Sequence, residues 1–408
     1  MRTDLGWRLD PAVTFLNHGS YGACPEAVLA SQRTWRDRLE SEPVRFMERI
    51  LPDALADARD RVAAFLGADP AGLAFVSNAT SGVNTVLRSL RFEPGDELLA
   101  TDHEYNATLN ALAAIAERDG ARVVVARIPV PIDDPSQAFD AILAAVTPRT
   151  RLALVSHITS PTALVLPIER IVAGLESRGV DTLVDAAHAP GMVPVDLDAL
   201  GAAYWTGNGH KWLCGPKGSA VLWVRADRRD RIHPLVISHG ANEPLEGRER
   251  FRLEFDWTGT GDPTPALALA DAIDWMAAQD PGGWPAIMAA NHALAMAGRD
   301  HLATTLGVAP IAPDAMTGSM AALSLPGSRD EAASRALQRD LTDLDGIQVP
   351  IMPWPVRAAR RADDAPAVTL LRISAQRYNE RADYERLAEA LARRLAAEEA
   401  VGPAPDPL

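Results

Sequence analysis

The chain has 408 residues, 47% of them hydrophobic, which is enough apolar material for one large and one smaller globular domain. Its formal net charge of -14 argues against a nucleic-acid surface or a polybasic membrane anchor, so the expected partner is a small molecule. The two cysteines, Cys24 and Cys214, stand at no metal-ligand spacing, and neither a metal site nor a disulfide framework is expected.

Neither a membrane-spanning helix nor a signal peptide is expected from the sequence. No run of about 18 apolar residues occurs, as a membrane-spanning helix would need. The first ten residues, MRTDLGWRLD, are too polar for the apolar core of a signal peptide. The expected location is therefore the cytoplasm.

Short apolar runs alternate with amphipathic segments through the first half of the chain. The predicted strands are LAFV, ELLAT, RVVVARI, LALVSH, DTLVDAA, AAYWTG and SAVLWV. Helical segments such as SGVNTVLRSL, NATLNALAAIAERDG and LPIERIVAGLESRG separate the first five. This alternation predicts an α/β fold with a mostly parallel seven-stranded sheet and helices on both faces. No helix fits between the last two runs, which predicts one antiparallel strand.

The pattern changes after GTGDPTPALALADAIDWMAAQ. Helical segments continue to about Leu306, strand-like runs follow in MAALSL, IQVPIM and AVTLLRIS, and an amphipathic helix closes the chain. We therefore expect a smaller C-terminal α+β domain. The predicted division is an N-terminal segment over residues 1–50, a large domain over 51–285, a small domain over 286–400 and a flexible Pro-rich tail over 401–408.

One lysine stands in a glycine-rich turn between two apolar runs. The stretch YWTGNGHKWLCGPKGSAVLWV, residues 204–224, flanks Lys211 with an imidazole and an indole. Burial on several sides disfavours the charged ammonium, and a neutral amine attacks carbonyl groups. Lys211 is therefore a candidate for a Schiff base.

Polar residues also follow other predicted strands, where ligands of open parallel sheets bind. Asp185 ends DTLVD, where burial of a carboxylate costs free energy unless a cation pairs with it. His188 follows three residues later. A loop-capping aspartate and a satisfied core histidine are an equally good interpretation of this segment alone.

The turn SNATSG opens a helix after the first strand. Ala79, Thr80 and Ser81 supply amides and hydroxyls there that suit a phosphate, although a plain helix cap is the favoured interpretation of this turn alone. Lys211 and Asp185 together favour pyridoxal phosphate, because the lysine bonds its aldehyde and the carboxylate keeps its pyridine nitrogen protonated. A nucleotide site is weaker, since neither GxGxxG nor GxxxxGK[ST] occurs.

Seven motifs occur in order along nearly the whole chain: LNHGSYGACP, SNATSGVN, SHITSPTALVLP, VDAAHAPG, GNGHKW, WTGTGDPTP and LRISAQRYN. They resemble the class V aminotransferase group of fold-type I pyridoxal-phosphate enzymes, and within it the isopenicillin N epimerase branch. The resemblance implies a pyridoxal-phosphate-dependent enzyme that acts on an amino-acid substrate and forms a homodimer with shared active sites.

The resemblance also implies a role for each matching position. Lys211 would bond the cofactor, Asp185 would pair with its ring nitrogen, and His188 and Ser160 would lie near the ring hydroxyl. Phosphate binding is implied for Thr80, Ser81 and His210, completion of the partner subunit's phosphate site for Thr260, and binding of the substrate α-carboxylate for Arg372. A planar bidentate guanidinium suits that carboxylate. From the residues themselves, Ala79 and Asn208 are also candidates for phosphate binding.

Two further segments have weaker implications. His103 in TDHEYN occupies the place of the imidazole that stacks on the cofactor in cysteine desulfurases, with Tyr105 as a rival and ordinary loop packing as the alternative. NHGSYG, with Asn17, His18 and Tyr21, is expected to fold over the active site and contact substrate, and a simple turn is the alternative.

The chain also departs from its relatives. Asn208 replaces a serine that many of them carry, so its role stays open. No cysteine lies between Pro350 and Arg372, where desulfurases carry their persulfide-forming residue, and desulfurase activity is therefore disfavoured.

The residues leave the reaction type open. Lys211 is the expected base at Cα, and epimerisation needs a second acid on the opposite face, for which His103 or Tyr105 is the candidate. β-Elimination from a cysteine S-conjugate, transamination and decarboxylative deamination are alternatives, and overall similarity favours epimerisation. A non-catalytic binding module is the competing class, and the intact candidate residues argue against it.

Overall fold

The protein is described here by a computed structural model that covers residues 6–360 and 368–401. Of the expected tail, residues 402–408 lie outside the described residues. The strands are β1 (Thr14–Phe15), β2 (Leu73–Val76), β3 (Glu97–Thr101), β4 (Arg122–Ala126), β5 (Thr150–Ser156), β6 (Asp181–Asp185), β7 (Tyr204–Asn208), β8 (Ala220–Val224), β9 (Met320–Leu325), β10 (Ile347–Gln348), β11 (Ile351–Trp354) and β12 (Val368–Ser374).

Helices connect most of these strands. They are α1 (His18–Tyr21), α2 (Glu26–Ser41), α3 (Pro43–Arg45), α4 (Leu51–Leu66), α5 (Ala79–Ser89), α6 (Asn106–Asp119), α7 (Pro135–Ala144), α8 (Ile168–Glu176), α9 (Leu197–Leu200), α10 (Arg250–Asp256), α11 (Thr264–Ala277), α12 (Gly283–Leu306), α13 (Glu331–Asp345) and α14 (Arg381–Val401). A π-helical turn, Phe46–Ile50, joins α3 to α4.

The large sheet has the strand order β2-β8-β7-β6-β5-β3-β4. The strand pairs from β7 to β4 in this order are parallel. In contrast, β8 runs antiparallel to both of its neighbours, β2 and β7. The predicted mostly parallel seven-stranded α/β sheet is therefore confirmed. The antiparallel strand lies where the connection is too short for a crossover helix.

Helices cover both faces of this sheet because successive strand residues point to opposite sides. Leu99 and Trp205 pack in one core with α4, α8 and α11, whereas their neighbours Leu98 and Tyr204 pack in another core with α5 and α6. In α8 the buried residues recur at spacings of three and four, which forms a single apolar stripe toward the sheet.

The C-terminal part contains a separate antiparallel sheet of three strands, in the order β11-β12-β9. Residues of this sheet, α12, α13 and α14 share a third core. The N-terminal segment joins it, because β1 pairs in parallel with β10. The expected domain boundary after residue 285 falls inside α12, and the division into domains stays a prediction.

Candidate active site

A cavity of about 350 Å³ lies at the carboxyl ends of the parallel strands. Strand ends contribute Asp185 and Asn208 to its wall, and the turn after β7 contributes Lys211. The amino end of α5 and residues of α1 complete the lining. Three chemically distinct groups that are distant in sequence therefore meet at one opening.

Lys211 is held as a neutral amine. Trp212 Nε1 donates to His188 Nδ1 at 3.4 Å, so the proton of the neutral imidazole lies on Nε2, which is 3.2 Å from Lys211 Nζ. An N–H group can donate a hydrogen bond to an amine only when the amine has a free lone pair, that is, when the amine is not protonated. Burial, helped by the charge of Arg372, lowers the pKa of Lys211 to about 7, and burial keeps the pKa of His188 well below its usual range.

Asp185 is a buried carboxyl at the end of β6, with only 4% of its surface exposed. Its Oδ1 accepts the Ala187 amide proton at 3.1 Å, and no cation pairs with it at salt-bridge distance within residues 6–360 and 368–401. Burial raises the pKa of Asp185, and attraction to Lys211 opposes this. The carboxylate thus lacks the cationic partner that a buried charge requires.

The amino end of α5 offers fewer amides than its sequence suggested. Asn78 Oδ1 accepts the Ser81 amide proton at 2.8 Å, and Asn208 Oδ1 accepts the Ala79 amide proton at 2.9 Å. The Thr80 amide has no acceptor in the described part of the chain. Asn208 therefore acts here as a helix cap, and Thr80 provides the free N–H of this turn.

Further donors stand beside this turn. His210 Nδ1 donates to the Ser219 carbonyl at 3.2 Å, which leaves Nε2 for the cavity, and burial lowers the pKa of His210 to about 4. The hydroxyls of Ser77 and Ser81 lie 2.8 Å apart. Ser77 lines the cavity as well, and sequence reasoning missed it.

Arg372 is a buried cation without a carboxylate partner among the described residues. Only 3% of it is exposed; Nη1 donates to the Ser160 carbonyl and Nη2 to Ser20 Oγ at 2.9 Å, while Nε has no acceptor. Burial lowers the pKa of Arg372 to about 10. The guanidinium is not itself among the residues that line the cavity, but Ser20 and Ser160, which it contacts, are. An unpaired guanidinium directly behind the cavity wall suits an anion. Ser160 lines the cavity and also contacts Arg372, and its expected place near the ring hydroxyl stays a prediction.

His103 does not line the cavity, contrary to the expectation that it stacks on the cofactor. It is fully buried; Nδ1 lies 2.7 Å from Thr162 Oγ1 and Nε2 lies 3.1 Å from the Ile128 carbonyl. Its ring packs against Trp354. Both ring nitrogens of His103 bond groups in the protein interior. The candidate for stacking on the cofactor is therefore Tyr105, which lines the cavity.

The NHGSYG residues separate into two groups. Tyr21 lines the cavity, as does Tyr105; these side chains are 71% and 48% exposed. Asn17 bonds Ser20, and His18 lies fully buried behind the cavity wall with Nε2 at 3.0 Å from the Lys211 carbonyl. His18 thus contacts the lysine backbone, where the sequence suggested a contact with substrate.

Thr260 lies on an exposed loop and does not line the cavity of its own chain. Its expected role in the site of a partner subunit stays a prediction.

Glu104 was missed by the sequence analysis, although it stands inside TDHEYN. It is fully buried and accepts protons from the hydroxyls of Thr101 and Ser156 and from the Ser156 amide. Burial, with a contribution from the charge of Asp185, raises the pKa of Glu104 to about 7. The signal that could have found it is an acidic residue three positions after a buried strand.

The donor set fits pyridoxal phosphate. A neutral amine faces an aldehyde carbon, an unpaired buried carboxylate suits a cationic ring nitrogen, and a free amide beside hydroxyls suits a phosphate. Within residues 6–360 and 368–401, no group of three or more His, Cys, Asp or Glu could hold a metal ion. Among these residues, no helix has the length and apolar character needed to cross a membrane.

Comparisons with known proteins show which family the chain belongs to. The family model described as aminotransferase class-V matches residues 24–387. Isopenicillin N epimerases from Amycolatopsis lactamdurans and Streptomyces clavuligerus are 38% and 35% identical, each over 94% of this chain and 95% of the relative. Putative L-cysteine desulfhydrase 2 from Oryza sativa subsp. japonica is 32% identical, over 95% of this chain and 85% of the relative.

Solved structures share the fold. The cysteine desulfurase CsdA from Escherichia coli superposes with a TM-score of 0.79 at 22% identity, covering 97% of this chain and 99% of that one. The cystine C-S lyase C-DES superposes with a TM-score of 0.77, covering 93% and 97%. The chain belongs to the class V aminotransferase family of fold-type I enzymes, whose cofactor is pyridoxal phosphate.

Proposed function

We propose that the protein epimerises an amino-acid-containing substrate at Cα, with Lys211 and Tyr105 as the two proton-transferring groups. The observation that carries this proposal is that both side chains line one cavity. The similarity to two relatives named isopenicillin N epimerase supports it. The substrate is then a metabolite that presents a free α-amino acid group.

Lys211 removes the proton. When bound, pyridoxal phosphate withdraws electrons from the substrate and makes its Cα–H acidic. Lys211 accepts this proton at Nζ because burial lowers its pKa to about 7, so that a large share of the amine is neutral near pH 7. His188 orients Nζ through its Nε2–H. Asp185 would keep the ring nitrogen of the bound cofactor protonated.

Tyr105 returns a proton to the opposite face of Cα from its hydroxyl. Cα thus loses one proton to Nζ and gains one from Oη, so the composition of the substrate does not change while its configuration inverts. Lys211 then releases its extra proton to water and Tyr105 takes one from water, which restores both groups. Position at the partly exposed rim allows Tyr105 to exchange its proton with water.

The remaining residues bind and orient. Arg372 binds the α-carboxylate, since its guanidinium is buried without an anion. Thr80, Ser81 and His210 bind the phosphate, with Asn208 as the cap that fixes α5. We also propose a homodimer in which Thr260 of one subunit completes the phosphate site of the other.

β-Elimination from a cysteine S-conjugate is the second candidate. A relative named putative L-cysteine desulfhydrase, 32% identical over most of both chains, favours it. Lys211 would again take the Cα proton, the Cβ–S bond would break with its electron pair on sulfur, and Tyr105 would protonate the leaving thiolate. Hydrolysis of the remaining enamine yields pyruvate and ammonia.

The cofactor test comes first. Purified protein with pyridoxal phosphate should absorb at roughly 410 to 430 nm, and Lys211→Ala should remove this band. A colourless protein that cannot be reconstituted would instead indicate a binding module.

The reaction is distinguished in deuterated water with a panel of amino acids and cysteine S-conjugates. Epimerisation places deuterium at Cα with inverted configuration, whereas elimination releases pyruvate and a thiol. Tyr105→Phe should retain exchange at Cα but lose inversion, because Lys211 still removes the proton. Inversion that persists in Tyr105→Phe would exclude Tyr105 as the second acid.

A further inference from the structure

His18 bonds the backbone of the turn that holds Lys211, residues 209–219, which we call the lysine turn. Its Nδ1 accepts protons from the Tyr378 hydroxyl at 2.7 Å and the Ala23 amide at 3.3 Å, so its own proton lies on Nε2. Nε2 donates to the Lys211 carbonyl at 3.0 Å. The imidazole is fully buried, and its ring also packs against Trp212.

The residue directly after α1, Gly22, lies in close contact with the backbone of the same turn. Gly22 has a φ of 68°, and a Cβ there would overlap the His210 carbonyl oxygen and lie 3.0 Å from Lys211 Cα. Lys217 Nζ, from the far end of the turn, donates to the Gly22 carbonyl at 2.9 Å. Only glycine allows this approach.

The other end of α1 contacts the arginine. Ser20 Oγ accepts a proton from Arg372 Nη2 at 2.9 Å and donates its own to Asn17 Oδ1. The amide of Gly19 donates to Ser374 Oγ at 3.1 Å, which ties the helix to the strand that carries Arg372.

We propose that α1 is a positioning element, in which His18 holds Lys211 and Ser20 holds Arg372, so that the amine and the guanidinium keep a set separation. The two contacts arise two residues apart on a four-residue helix, so a shift of one moves the other. This inference rests on the proposed roles of Lys211 and Arg372. Neither His18 nor Ser20 needs to touch the reacting atoms.

Two variants test His18. His18→Phe removes the N–H that donates to the Lys211 carbonyl, whereas His18→Gln provides a side-chain Nε2 that can replace this donor. The readout is the rate at which apoprotein captures pyridoxal phosphate across pH, because only the neutral Lys211 amine reacts. In His18→Phe the turn relaxes toward water and the pH midpoint of capture should rise by about one unit. His18→Gln should restore the wild-type midpoint. The groups that face Lys211, namely Asp185, His188 and Arg372, are unchanged in both variants.

A second pair of variants separates positioning from loss of stability. Tyr378→Phe removes the hydroxyl that His18 accepts from, and it should shift the midpoint in the same direction as His18→Phe. Tyr384→Phe is the matched control for the midpoint, because its buried hydroxyl donates to the Ser374 carbonyl and bonds neither His18 nor the turn that holds Lys211. Tyr384→Phe should leave the midpoint unchanged. The Tyr378 and Tyr384 variants also serve if His18→Phe fails to fold.

Ser20→Ala tests the other contact. We expect this variant to bind butyrate, a carboxylate without an amine, about tenfold more weakly than wild type, with its cofactor band unchanged. Wild-type midpoints in His18→Phe and Tyr378→Phe, or unchanged butyrate binding in Ser20→Ala, would overturn the inference. Failure of the wild-type protein to capture the cofactor would overturn the proposed function instead.

Discussion

At the residue scale, Arg372 shows how a binding site differs from a structural ion pair. Other buried arginines, such as Arg229 and Arg299, contact carboxylates, whereas Arg372 contacts only neutral oxygens among the described residues. An unpaired buried charge costs free energy, which a bound carboxylate would offset.

We therefore expect Arg372→Met to leave the free energy of unfolding of the unliganded protein unchanged or to raise it by about 1 kcal/mol, since an apolar side chain of similar volume replaces an unpaired charge. Binding of butyrate should weaken about a hundredfold. Urea denaturation and a binding titration measure the two effects. A loss of stability without a change in binding would mean that Arg372 has a structural role.

Glu104 gives a residue-scale prediction about pH. The pKa of Glu104 is about 7 in the fold, above the ordinary 4.5, so the folded state holds this proton more tightly than the unfolded chain. The proton on Glu104 therefore stabilises the folded state fully below pH 4.5. This contribution is lost as the pH rises through 7, where Glu104 ionises and has no cation at salt-bridge distance in the described part of the chain. The full effect is about 3 kcal/mol.

Glu104→Gln should remove this dependence, because the amide stays neutral. Its free energy of unfolding should fall less than that of wild type between about pH 5 and pH 8, as urea denaturation at several pH values would measure. Parallel pH profiles for the two proteins would show that Glu104 does not titrate in this range.

At the element scale, α5 matters because its amino end carries the phosphate donors. Its packing depends on Gly82, where a Cβ would overlap Thr206 Oγ1 of β7. Helix propensity alone predicts that alanine in place of glycine stabilises a helix by about 1 kcal/mol. Packing against β7 predicts the opposite sign.

We expect Gly82→Ala to lower the free energy of unfolding by about 2 kcal/mol and to weaken capture of the cofactor, because α5 must move away from β7. Gly174→Ala is the control, because this glycine also lies inside a helix, α8, and the nearest contacts of a Cβ there would be the side-chain ends of Phe139 and Leu143, at 3.0 and 3.2 Å. Stabilisation of Gly82→Ala to the level expected from helix propensity would contradict the packing argument.

At the scale of the whole molecule, a surface beside the active-site cavity is apolar. Leu235, Val236 and Ile237 are 47%, 57% and 77% exposed, and the first two line an adjacent cavity of about 350 Å³ with residues near Thr260. Exposed apolar surface of this kind suits an interface between subunits. This agrees with the proposed homodimer, in which Thr260 reaches the other site.

Subunit mixing tests that arrangement. Thr260→Ala should bind the cofactor weakly, and Lys211→Ala should be inactive. If Thr260 serves the partner, a mixed dimer of the two variants regains one intact site, so activity exceeds that of either parent. If Thr260 serves its own chain, the subunit that keeps its lysine is the one that lacks the threonine hydroxyl, and mixing restores nothing.

The sequence indicated much of the site for a physical reason. Asp185 ends an apolar run and Lys211 stands between two such runs, and charged groups are expensive to bury there unless they function. Periodicity likewise predicted the sheet and its helices, because burial imposes a two-residue or a 3.6-residue repeat, and the short connection predicted the antiparallel strand. Periodicity and local motifs thus determined the architecture, the cofactor chemistry and the family.

Contacts between distant segments were decided only by the tertiary structure. His103 and Ser160 follow strands as Asp185 does, yet His103 points into the core and Ser160 bonds Arg372, which is far away in the chain. His18 similarly meets the backbone of Lys211. A hydrogen bond depends on direction and on distances of a few tenths of an ångström, and neither is set until separate elements pack together.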